Sequence, residues 1–206
     1  MIFVNSMSDL FYEDIPDAFI RRVFDVMARA DRHTFQVLTK RPQRLESLAP
    51  RLPLPPNVWM GVTIENRRFV PRADALRATP ASAKFISAEP LLGRLEGLNL
   101  QDINWLIAGG ELCPRHRPMR LEWVRDLRDR YQQEGVAFFF KQLGGRQAGN
   151  TIDELPADLR IREMPRRALP DVMRPAAGRL PAPGGDGRTG WSRLGGRRGR
   201  AGRAVE

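Results

Sequence analysis

The sequence holds a single cysteine, Cys113, and only two histidines, His33 and His116. One thiol cannot close an internal disulfide, and alone it cannot hold a zinc ion or an iron–sulfur cluster. A His/Cys metal site within this chain is therefore not expected. Long apolar runs are also missing, since none approaches the roughly 18 residues that cross a bilayer. The opening Met1-Ile2-Phe3-Val4-Asn5 lacks the basic start and small-residue cleavage site of a signal peptide. These absences predict no membrane partner and a cytoplasmic location. Gly109-Gly110-Glu111 is neither a Walker loop nor a dinucleotide fingerprint, because the later Gly and Lys are lacking.

What is present fits one globular core. The chain has 206 residues, of which 42% are hydrophobic and 28% charged. Its net charge of +10 points at first to nucleic acid. The distribution weakens that reading. Residues 166–206 carry ten Arg against Asp171, Asp186 and Glu206, which leaves residues 1–165 with 24 basic against 21 acidic side chains. The tail also holds nine Gly and four Pro and shows no periodicity, so it reads as disordered. The expected organisation is a folded domain over 1–165 and a basic tail over 166–206. Such a tail could contact nucleic acid, or be a non-native C-terminus.

Residues 1–142 repeat one pattern, a β-rich run ending in polar residues and then a helix-period segment. The runs are Ile2–Ser6, Thr34–Thr39, Val58–Ile64, Lys84–Ala88, Trp105–Ala108 and Val136–Phe140. Helices are expected over about 17–29, from Pro42, over about 69–78 and over about 121–134, with Gly135 as a C-terminal cap. In the first, Phe19, Ile20, Val23, Phe24 and Met27 make one apolar face. Alternation of strands and helices predicts an α/β fold with parallel strands. Six strands could form an open doubly wound sheet or most of a (β/α) barrel. A short element around Leu155, Leu159 and Ile161 is expected beyond the last strand.

The strand ends concentrate charge: Asp9, Lys40-Arg41, Glu65-Asn66, Glu89-Pro90, Gly109-Gly110-Glu111 and Lys141-Gln142. In parallel α/β folds, ligands bind at the carboxyl edge of the sheet, where loops converge. The candidate rim residues are therefore Asp9, Lys40, Arg41, Glu65, Glu89, Gly109, Gly110, Glu111 and Lys141. Glu65 and Glu89 follow consecutive strands and could share a cation or divide acid and base roles. They could equally neutralise Lys40 and Lys141. The two glycines could let a ligand approach the backbone. Cys113 lies beside Arg115, His116 and Arg117, whose charge would favour a thiolate, but the spacing matches no cysteine enzyme.

Six ordered stretches carry a resemblance: 3–11, 35–42, 57–65, 85–93, 105–111 and 138–142. Together they resemble the phage-associated three-cysteine-motif family, a phage protein or domain of unknown function. The resemblance covers about residues 1–165. Members carry an upstream Cys-x7-Cys-x2-Cys-Tyr-Ala cluster, similar to the ligand loop of radical S-adenosylmethionine enzymes, on a strand–helix repeat similar to their partial barrel. For full-length relatives this implies an iron–sulfur cluster and S-adenosylmethionine. This chain has no three-cysteine segment, and Leu112-Cys113-Pro114 stand where members usually have a small polar residue and Gly. The resemblance thus implies an N-terminally truncated, inactive relative with no cofactor of its own and an unknown substrate. Two alternatives stand beside it. One is a non-catalytic protein binding nucleic acid through the tail or a phosphate-bearing ligand at the rim. The other is a metal-dependent hydrolase using Asp9, Glu65 and Glu89.

Overall fold

Six parallel strands lie side by side in the order in which the chain makes them. They are β1 (Ile2–Val4), β2 (Phe35–Thr39), β3 (Val58–Thr63), β4 (Ala83–Ala88), β5 (Trp105–Gly109) and β6 (Ala137–Gln142). The helices are α1 (Asp17–Arg29), α2 (Pro42–Leu48), α3 (Arg72–Arg77) and α4 (Leu121–Gln133). This computed structural model describes residues 1–146 and 152–165. The expected basic tail lies outside the described residues.

The strand order decides between the two architectures that the repeat allows. Crossovers of one hand, between strands laid down in sequence, all fall on the same face of the sheet. A doubly wound sheet needs a reversal of strand order to bring helices to the other face. Here there is no reversal, and the sheet is a half-barrel.

Its two faces differ accordingly. Strand residues Val37, Val58, Met60, Val62, Ile86, Leu106, Phe138 and Phe140 join Ile20 and Phe24 of α1, Leu45 of α2 and Val124 and Leu127 of α4 in the main core. The opposite, concave face carries a smaller cluster built on Trp59, Phe85 and Trp105. Trp105 is its centre, with ring centroids 6.1 Å from Trp59, 6.0 Å from Phe85 and 5.9 Å from Phe139. Alternation along each strand sends one residue to the helices and the next to the concave face.

Local chemistry sets the element ends. Pro42 opens α2, where its missing N–H costs nothing. Gly135 follows α4 with φ of 68°, in the left-handed region, and the Val136 N–H turns back to the Tyr131 carbonyl. The Asn57 amide donates to the Met27 and His33 carbonyls, at 3.0 and 3.1 Å, and so ties the end of α1 to the foot of β3.

Two expectations need correction. Phe19 is 43% exposed, with the Arg22 guanidinium over its ring; Ile20, Phe24 and Met27 are the fully buried residues of α1. Phe19 lies one position outside the stripe that those three define. The helix expected over about 69–78 is broken into a 3-10 turn, Arg67–Phe69, and the short α3. Pro71 interrupts it, because proline offers no N–H to a preceding turn. No helix separates β4 from β5. Leu91, Leu95, Leu98, Leu100 and Ile103 bury an irregular crossover instead.

The two sheet edges differ. Residues 161–163 run antiparallel to β6: the Phe140 N–H donates to the Ile161 carbonyl and the Glu163 N–H to the Phe138 carbonyl. Leu155 and Leu159, as expected, anchor this strap, within and beside two 3-10 turns. Asp158 pins it to α4 through Arg125 and Arg128, and the Arg125 hydrogen bond first of all holds the Asp158 carboxyl down at about 2.

Candidate functional site

The carboxyl ends of the strands gather most of the expected rim residues, and the structure pairs them in a definite way. Glu65 follows β3 and is buried. One of its oxygens meets Lys40 Nζ at 2.7 Å and the other meets Arg72 Nη1 at 3.0 Å. Arg72 also donates to the Thr63 carbonyl and lies over the Phe69 ring, 4.1 Å from its centroid. Burial lowers the Arg72 pKa, and Glu65 opposes that shift. Arg72 carries no signal in the sequence, because it reaches the rim from α3 and not from a strand end.

Glu89 follows β4, and its peptide bond to Pro90 is cis. Its Oε2 accepts from Lys141 Nζ, at the end of β6, at 3.3 Å. Glu65 and Glu89 are thus each neutralised by a different lysine, one of the outcomes that their position allowed. Oε1 of Glu89 is buried and has no hydrogen-bond partner. The Ser87 hydroxyl is near enough to help hold the charge, short of a directed bond to that oxygen. Desolvation raises the Glu89 pKa above the usual 4.5, against the pull of Lys141.

Gly109 and Gly110 serve close approach between segments of the chain itself. A Cβ on Gly109 would stand 3.0 Å from Glu89 Oε1, so the missing side chain lets that carboxylate pack close against the end of β5. A Cβ on Gly110 would overlap the Gly144 backbone. Around this contact the Gly110 N–H donates to the Gln142 carbonyl, and Gln142 Nε2 donates to the Gly110 carbonyl, both at 3.0 Å. Glu111 turns outward and takes Arg117 through its backbone N–H, Nε and Nη2 at 2.6–2.9 Å, which brings its carboxyl down to about 2.

Asp9 holds the loop after β1. It accepts from the Phe11 N–H, the Thr39 hydroxyl and the Lys40 N–H at 2.8–2.9 Å. Among the described residues no group of three His, Cys, Asp or Glu side chains could hold a metal ion. The Asp9, Glu65 and Glu89 hydrolase reading therefore lacks its ligand set. Cys113 is half-buried; Arg117 is engaged by Glu111, and His116 Nδ1 faces the Cys113 carbonyl at 3.3 Å.

Thr63 and Ser87 were missed from the candidate rim. They sit opposite each other in the β3–β4 register, two residues before Glu65 and Glu89, and so share their face. Thr63 Oγ1 is buried without a partner. Period-two alternation back from each glutamate would have found both.

A prediction follows from Glu89. Its raised pKa favours the protonated form in the folded state. The stabilising effect is full below 4.5 and is lost as pH rises through the raised value. Glu89→Gln should therefore raise the melting temperature at pH 7 by about 2 °C or more, since an incompletely paired buried charge costs on the order of 1 kcal/mol. The gap between the two proteins should close as pH falls below 4.5. Thermal melts between pH 4 and 8, as rough bounds around the carboxyl range, read this directly. A lower melting temperature for the variant at pH 7 would contradict it.

A parallel half-barrel with an ionic carboxyl edge around one incompletely satisfied carboxylate is the class that fold and site define. The chain belongs to the family described as a protein of unknown function, DUF5131, whose model matches residues 1–184. No curated protein and no solved structure matches the chain. No described helix is long and apolar enough to cross a membrane.

Proposed function

We propose that this chain is a ligand-binding half-barrel, related in architecture to the radical S-adenosylmethionine barrels, that takes an amine-bearing ligand at Glu89. The observation that carries the reading is the buried Oε1 of Glu89, an acceptor with no hydrogen-bond partner, packed beside Gly109. A buried carboxylate normally has its lone pairs filled. A ligand ammonium or amine supplies the missing donor. The buried aromatic cluster of Trp59, Phe85 and Trp105 lies on the same face and packs the floor below the rim.

An iron–sulfur cluster does not fit these residues, because Cys113 is the one cysteine of the sequence and the described residues hold no ligand cluster. The reading therefore includes no radical step.

The test is calorimetric titration of the purified full chain with S-adenosylmethionine. Binding is expected, weakened at least about tenfold in Glu89→Gln, because a hydrogen bond to a charged group contributes about 1.5–3 kcal/mol. No binding by the unaltered chain, or equal affinity in the variant, would sink the proposal.

A further inference from the structure

We infer that Arg41 forms an oxyanion subsite on the same edge, for a phosphate or carboxylate group. Arg41 lies two residues past the end of β2 and directly precedes α2. Its guanidinium lies over the Tyr12 ring, 5.2 Å from the centroid. The stack orients the plane of the donors. Its Nε is buried and has no hydrogen-bond partner.

The nearby carboxylates do not explain the position. Asp9 is filled by two backbone N–H groups and the Thr39 hydroxyl. Glu65 is filled by Lys40 and Arg72. No ion pair to Arg41 occurs among the described residues, and Arg41 lies near enough to Arg72 for the two guanidinium charges to repel. A stacked guanidinium with an unfilled N–H, near a second guanidinium, has no anionic partner of its own. Guanidinium matches the geometry of phosphate and carboxylate oxygens through paired N–H donors.

The inference rests on this edge being a binding site, but not on Glu89. It can be tested on the full chain with inorganic phosphate and, separately, with acetate. Arginine Nε–H resonances are followed by nuclear magnetic resonance, and the Arg41 signal is assigned by its disappearance in Arg41→Gln. A saturable shift of that signal is expected in the unaltered chain; affinity for the same ion, read in all three proteins by calorimetric titration, should be at least tenfold weaker in Arg41→Gln and only partly restored in Arg41→Lys, which keeps charge but loses the fork. A response to phosphate alone assigns a phosphate group, and a response to acetate alone assigns a carboxylate. No shift with either ion would overturn the subsite. So would equal affinity in the unaltered chain and Arg41→Gln, which would place the binding on other cations. If Arg41→Gln fails to fold, the signal lost in Arg41→Lys assigns Arg41, and the shift in the unaltered chain still decides. The ions and S-adenosylmethionine are titrated separately into the unaltered chain, so failure to bind S-adenosylmethionine and failure of this subsite are separate results.

Discussion

Gly110→Ala should destabilise the protein by about 3 kcal/mol or more, at the upper end of what overpacking costs. The added Cβ would overlap the Gly144 N and Cα and stand 2.8 Å from the Leu143 carbonyl carbon. All three are backbone atoms, so no rotamer change relieves the clash. The loops after β5 and β6 would have to part, breaking the paired hydrogen bonds between Gly110 and Gln142. Those bonds sit where the β5–β6 register already shifts, between Ala108 and Gly109. Gly145→Ala is the control, since a Cβ there meets nothing within 4 Å. It should stay within about 0.5 kcal/mol of the unaltered protein, as surface substitutions usually do. Denaturant unfolding of the two variants measures the contrast. Similar losses in both would mean that the Gly110 contact does not govern the effect.

Glu65→Leu should cost about 3 kcal/mol, a fall in melting temperature of roughly 6–12 °C for a chain of this size. The cause is what remains after the substitution. Arg72 has only 14% of its side chain exposed and would keep its charge with no carboxylate beside it. Lys40 is about half exposed, and water replaces its partner cheaply. The double variant Glu65→Leu/Arg72→Leu should recover most of the loss, because removing both partners of a buried pair is far milder than removing one. Recovery stays incomplete because Arg72 also donates to the Thr63 carbonyl. A double variant no more stable than Glu65→Leu alone would show that the cost lies in packing at position 65 and not in the stranded guanidinium.

Sheet and site differ in how far they could be read from the chain. Every strand core was legible, because buried parallel strands are continuous apolar runs and each was closed by polar residues. The β3 run, for instance, ends within one residue of its expected boundary. α1 and α4 were legible from their apolar stripes, and α4 also from Gly135. α3 was less so, since Pro71 acts on hydrogen bonds that a count of apolar positions does not register.

Charge at the rim was legible as a set but not as a network. Each strand end announces its own polar residue, and so Lys40, Glu65, Glu89 and Lys141 could be named. The partner of each depends on which strands are neighbours and on what reaches over from the helices. Lys141 meets Glu89 across β5, although the two stand 52 residues apart. Arg72 comes from a helix and had no strand-end position to betray it. The two glycines after β5 suggested an approach to the backbone; that Gly110 is approached by Gly144, and Gly109 by Glu89, is a matter of register.

The amino-acid sequence by itself determined the parallel α/β repeat and the polar carboxyl edge, because period and composition act locally along the chain. Tertiary structure alone decided that the sheet is a half-barrel and not doubly wound, and that Glu89 and Arg41 keep unfilled hydrogen-bonding groups. Strand order and burial are relations between distant segments, and the desolvation that leaves an acceptor or a donor without a partner exists only once those segments have met.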